Sequence, residues 1–259
     1  MNFGVQTFTV REMQKKSLRG AYLPLAELGI KSLEVARIDF TSKRAEQLRA
    51  VASELGITVT SIQVKPKYVF QSPERIIDFC KITGCKNVVI SMLPFKCILG
   101  SEKSFYSFVD SLDGMCDVYA ASGITLAYHH HNWEYIRLSN GKSRMEELLQ
   151  RTKKIKFVND TYWTARCGTD PAHQIKNFGD RLLGIHLRDL SFKKRGLSVI
   201  PHDTALGSGV IDFAAVLAAA KKTACSYCVI EQNSKDPYRD IEKSFGYLRA
   251  LISHTDNKE

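Results

Sequence analysis

One joint recurs along this chain and restricts the folds open to it. "AELGIKSLEV", "ASELGITVTS", "KITGCKNVVI" and "YAASGITLAY" each place a glycine (Gly29, Gly56, Gly84, Gly123) between an amphipathic stretch and an apolar run. A glycine there suits the left-handed residue that ends a helix. The apolar runs are short and rich in Val and Ile: "FGVQTF" from Phe3, "SLEVAR" from Ser32, "TVTSIQV" from Thr58, "NVVISM" from Asn87, "ITLAYH" from Ile124, "IKFVND" from Ile155, "LLGIHL" from Leu182 and "YCVIEQ" from Tyr227. Such runs read as buried parallel strands. Between them apolar positions return with helical spacing, as in "KSFYSFVDSLDGMCDVYAAS" and "VIDFAAVLAAAKK". Eight strand–helix units in 259 residues predict a (β/α)8 TIM barrel forming a single domain over 1–259. A doubly wound open sheet is the alternative, but no glycine-rich phosphate turn follows "FGVQTF".

Composition narrows the function classes. No window approaches the roughly 18 apolar residues of a membrane span, and the N-terminus lacks a basic segment leading into an apolar run. A cytoplasmic protein with no membrane partner is expected. Seven scattered cysteines suit buried thiols in a reducing compartment without disulfides. "CSYC" at Cys225 to Cys228 has redox spacing, yet it leads into an apolar strand and has no second pair to complete a zinc site. The net charge of +10 is spread along the chain rather than gathered in a patch. It reads as a solvated helical exterior, and no nucleic-acid partner is expected.

Active sites of such barrels lie at the C-terminal ends of the strands. Applied here, that rule gathers Glu134 after the fifth strand, Asp160 ending the sixth, His186 near the end of the seventh and Glu231 ending the eighth. The first three are one repeat apart. Three carboxylates and an imidazole suit one divalent ion (Mn, Co, Mg or Zn), and without a cation converging carboxylates would repel. In "AYHHHNWEY", strand alternation sends His129 and His131 to one side and His130 to the other. His129 and His131 are therefore candidate substrate contacts, and His130 a packing residue. Trp163, Lys65, Glu34 and Arg188 are further candidates for substrate binding. Asp189 is expected to hold Arg188 or orient His186, and Asp212 to cap a helix.

The segments "YHHHNWEY", "NDTYWTARCGTDP", "GIHLRDL", "LGSGVIDF" and "VIEQN", in that order, resemble the sugar phosphate isomerase/epimerase proteins of the xylose isomerase-like TIM-barrel superfamily. The resemblance covers most of the C-terminal half by motif and the N-terminal half by architecture. It implies that Glu134, Asp160, His186 and Glu231 bind one metal ion. Two positions depart from the ketohexose 3-epimerase pattern: Trp163 stands where those proteins carry His, and Phe192 where they carry Arg. A flat aromatic at 163 suits stacking on a cyclic sugar.

The expected chemistry is proton abstraction beside a sugar carbonyl, with Glu134 and Glu231 removing and returning the proton and the ion stabilising the enediolate. The product would be an epimer or an aldose–ketose isomer. The alternative is a lyase or dehydratase that eliminates a β-leaving group from a keto-sugar or keto-inositol. An apurinic-endonuclease-like phosphodiesterase would need more ligands than the motifs supply. A non-catalytic sugar-binding barrel would not need the four-ligand set. The partner is then a small-molecule sugar, and the loops around such a mouth suit a homo-oligomer.

Overall fold

The computed structural model describes residues 1–256. Eight parallel strands close into a barrel: β1 (Asn2–Gln6), β2 (Ser32–Val35), β3 (Thr58–Val64), β4 (Asn87–Ile90), β5 (Thr125–His129), β6 (Lys156–Asp160), β7 (Leu182–Leu187) and β10 (Tyr227–Ile230). β10 closes the ring between β7 and β1. These are the eight runs read from the sequence. The intervening chain is not all helix and loop. β8 (Asp189–Arg195) and β9 (Ser198–Thr204) form an antiparallel hairpin after β7 that is not among the eight apolar runs.

Each strand buries both faces, which is why the runs are continuously apolar rather than alternating. The outward face meets the helices in one large core that includes Val5, Leu33, Ile62, Ile90, Tyr128 and Ile185. The inward face forms a smaller core of Val89, Ala127, Val158, Tyr227 and Val229. Burying each such aliphatic side chain stabilises the fold by about 1.5–3 kcal/mol before conformational entropy is counted.

The helix Pro73–Thr83 shows how local sequence sets the units. Proline occupies its first turn, Ile76, Ile77, Phe79 and Cys80 are buried, and Gly84 ends it at φ 74°. Gly29, Gly56 and Gly123 also have positive φ at the other joints. Asp212 caps the helix Phe213–Ala220, its Oδ1 accepting from the Ala215 amide at 3.0 Å. All seven cysteines are free thiols, five of them buried. Among the described residues no helix is long and apolar enough to cross a membrane.

Candidate metal centre

Strand parity decides which side chains reach the barrel axis. Ala127 and Val158 point inward, so His129 and Asp160, two residues further along β5 and β6, do too. His186 on β7 and Glu231 just past β10 join them. One ligand atom from each of His129, Asp160, His186 and Glu231 lies within 4.8 Å of the others, and all four residues are buried.

Glu134, expected as a ligand, is not in this group. It sits in the turn Trp133–Tyr135, beyond the strand end, and its carboxylate is engaged there rather than at the cavity. The Tyr128 hydroxyl donates to Oε1, and the His131 amide donates to Oε2 at 2.8 Å. Tyr128 belongs to the outward face of β5, so this bond anchors Glu134 in the layer between sheet and helices. Burial pushes its carboxyl pKa up despite these donors. The position assigned to Glu134 is filled by His129.

Three atoms of the group bear on what it could hold. His129 Nε2, His186 Nδ1 and Glu231 Oε2 are buried without a hydrogen-bond partner. His186 Nδ1 and Glu231 Oε2 are 2.7 Å apart, yet they lack the alignment of a hydrogen bond. Buried polar atoms are normally hydrogen-bonded, whereas these three are held only by ion-pair contacts inside the group, His186 to Glu231 and His129 Nε2 to Asp160 Oδ2 at 3.6 Å. Two imidazoles and two carboxylates converging on one point fit a divalent cation, which would take the place of the His186 proton.

Neighbouring side chains and amides hold His186 and Asp160 in place. His186 Nε2 meets Glu34 Oε1 at 2.7 Å, and Glu34 Oε2 accepts from Ser61 at 2.6 Å and Tyr227 at 2.8 Å. Glu34 is therefore a buried support beneath His186, not the substrate contact expected from the sequence. Burial opposes the charge on His186, but Glu34 and Glu231 more than offset it and raise the imidazole to about 10. Burial likewise opposes ionisation of Glu34, and His186 outweighs it, so the carboxyl lies below its usual range.

Asp160 donates its amide to His130 Nε2 at 3.2 Å, while its Oδ1 accepts from the Trp163 amide at 2.9 Å. His130 lies on the outer face beside Phe178, and burial lowers it to about 4, so it stays neutral. The Asp160 carboxyl is held low: burial would raise it, but Arg188, His129 and His186 dominate.

Arg188 lies 3.4 Å from Asp160 Oδ2 and 3.7 Å from Glu231 Oε1, and stands over the Tyr162 and Trp163 rings. Its anchor is Asp203 on β9, a residue the sequence reading missed, which accepts at 2.8 and 2.6 Å. Asp189, expected to hold Arg188 or orient His186, does neither. Its carboxylate accepts from the amides of Leu190, Gly209 and Ile211 and fastens the base of the hairpin.

Above the group opens a cavity of about 460 Å³ lined by His129, His131, Trp163, Arg188, Glu231 and Lys65, among others. His131 and Trp163 are 5.4 Å apart between ring centroids, and each carries a buried nitrogen without a partner, Nδ1 and Nε1. Burial lowers the His131 pKa well below its ordinary value, so its imidazole is neutral. Lys65 stands exposed at the rim.

The sequence model of the xylose isomerase-like TIM barrel matches residues 24–251. The chain belongs to that family. Among curated relatives, the inosose dehydratase of Geobacillus kaustophilus is 22% identical, with 89% of this chain and 86% of the relative covered. The inosose dehydratase of Geobacillus thermodenitrificans is 24% identical over 53% of this chain, and the match spans about half (49%) of that relative. Among solved structures, a sugar phosphate isomerase/epimerase from Parabacteroides distasonis superposes with a TM-score of 0.79 at 18% identity, covering 96% of this chain and 93% of the other. The 3-keto-D-glucoside 4-epimerase of E. coli gives 0.69 at 20% identity, covering 96% and 99%. These likenesses bear out the family resemblance read from the motifs.

Proposed function

We propose that the protein is a divalent-metal-dependent isomerase or epimerase of a small keto-sugar, working by proton transfer beside the carbonyl. The observation that carries this reading is the buried convergence of His129, Asp160, His186 and Glu231, three of whose ligand atoms make no hydrogen bond, beside a 460 Å³ cavity that His129 and Glu231 line. His129, Asp160, His186 and Glu231 would hold the ion. When bound, the ion supplies Lewis acidity toward a carbonyl and its neighbouring hydroxyl.

The chain's own groups account for the remaining steps. Glu231 is kept ionised: burial would protonate it, but His186 and Arg188 prevail. It is suited to take a proton from the carbon next to the carbonyl. Glu134 does not line the cavity and is replaced as second acid–base group by His131, which is neutral and has a free ring nitrogen. Arg188 offers a fixed cation to substrate oxygens, and Trp163 offers an apolar face to a ring. Lys65 is placed to meet a substrate group at the rim.

A second reading is favoured by the inosose dehydratase relatives. The same base could remove the proton while an acid assists departure of a β-hydroxyl. One experiment separates the two: metal-loaded protein is incubated with keto-sugars and a keto-inositol in D2O and followed by NMR. Deuterium at the carbon beside the carbonyl with an epimeric or isomeric product supports the first reading, and loss of water to an enone supports the second. No exchange with any member of the panel would count against both.

A further inference from the structure

Beside the mouth lies a larger cavity of about 710 Å³, and the two share Arg37, Lys65 and Met92 in their walls. Its floor is apolar. Phe70 and Phe108 lie 5.6 Å apart, flanked by Leu93, Pro94 and Phe95, the last 71% exposed. Its rim is cationic, with Arg37, Lys65, Lys67 and Lys96, and no carboxylate lines it. Among the described residues none of these four side chains forms an ion pair, although carboxylates partner many of the chain's other cations. Arg37 has the left-handed backbone that non-glycine residues avoid, with φ 56°. It does so at the junction of the two cavities, where such strain points to function.

We propose that this groove seats the non-sugar part of the substrate, an apolar group bearing negative charge. The proposal rests on the functional reading above, since it takes the sugar to lie over the metal centre. A substituent leaving the sugar toward β3 and β4 passes between Arg37 and Lys65 and enters the groove. Phe70, Phe95 and Phe108 would cover its apolar face, and Lys67 and Lys96 would meet its charge. An uncharged sugar alone would leave the apolar floor bare and the four cations without an anion, Arg37 having only the Phe8 ring beneath it at 5.3 Å. The substrate class is a glycoside-like keto-sugar with an anionic aglycone.

The test uses the full metal-loaded chain and a Lys67→Glu/Lys96→Glu variant, both positions being exposed and remote from the metal ligands. Anilinonaphthalene sulfonate and its uncharged counterpart N-phenylnaphthylamine report on the groove by fluorescence. The expected result is sulfonate binding that weakens about tenfold in the variant while the uncharged dye is affected less. Solvent-deuterium exchange into a para-carboxyphenyl keto-glucoside and a methyl keto-glucoside then reads the link to catalysis. The wild type should prefer the carboxyphenyl substrate in kcat/KM by about tenfold, and the variant should lose that preference. Equal kcat/KM for the two substrates in the wild type, or unaltered sulfonate affinity in the variant, would overturn the proposal. Absence of exchange with both substrates would remove the functional reading and the substrate assignment with it. Charge-sensitive dye binding on the same protein would then locate the failure in the chemistry rather than in the groove.

Discussion

Replacing Glu34 by glutamine should weaken metal binding although Glu34 lies outside the ligand set. Its Oε1 sits 2.7 Å from His186 Nε2, so the carboxylate keeps a proton on that nitrogen and leaves Nδ1 facing Glu231 and the axis. Glutamine has nearly the same shape but no charge. Its amide can present NH2 to Nε2, which drives the imidazole proton to Nδ1 and blocks the ligand atom. Alternatively it can present its oxygen there and leave NH2 against the Ser61 and Tyr227 hydroxyls, which now donate to Oε2. Either way the imidazole loses a fully buried anionic partner. Supports of this kind are each worth about 10–100-fold in metal affinity. The assay is competitive titration of Mn²⁺ or Co²⁺ against a fluorescent chelator, with circular dichroism to confirm the fold. Affinity within about twofold of wild type in a folded variant, well short of the loss such supports usually carry, would refute the argument that Glu34 fixes His186.

Other consequences follow from the same contacts. An alanine Cβ at Gly184 would lie 2.4–2.8 Å from the Tyr227 ring. Gly184→Ala should therefore cost about 1–3 kcal/mol by overpacking, read as a lower Tm, and should also weaken metal binding because Tyr227 holds Glu34. Asp203→Asn should cut kcat/KM by about tenfold while the bound metal is retained, since it loosens the paired bonds that fix Arg188. Metal content and turnover measured on one preparation check this. In the metal-free protein His186 keeps its proton up to about 10, so metal binding must displace it. Apparent affinity should rise with pH by about one decade per unit across the neutral range, with proton release seen by calorimetry in buffers of different ionisation enthalpy. The same raised value gives the metal-free fold stability that is full below the ordinary histidine pKa and lost as pH rises through about 10.

The barrel was legible because a strand buried on both faces leaves a continuous Val- and Ile-rich run, and a glycine marks each of four helix-to-strand joints. The β8–β9 hairpin was not, because its outer half is solvated. "FKKRG" reads as a charge cluster when no face of the strand must be buried. Asp160, His186 and Glu231 could be found by counting to strand ends. Glu134 misled because a carboxylate one repeat before Asp160 looks equivalent to it. The turn Trp133–Tyr135 breaks that equivalence and hands Glu134 to Tyr128. Parity held the answer: Ala127 and His129 face the side that Val158 and Asp160 face, so His129 was the residue to carry inward. Asp203, Ser61 and Tyr227 carried no sequence signal, for their roles exist only once distant strands meet around Arg188 and Glu34.

The most direct test of this account is the metal content of wild type, His129→Ala and Glu134→Gln after chelator stripping, reloading and desalting, measured by mass spectrometry. The account predicts one divalent ion per chain in the wild type and in Glu134→Gln, with the ion lost or strongly depleted in His129→Ala. Full occupancy in His129→Ala with loss in Glu134→Gln, or a wild type that takes up no ion, would contradict it.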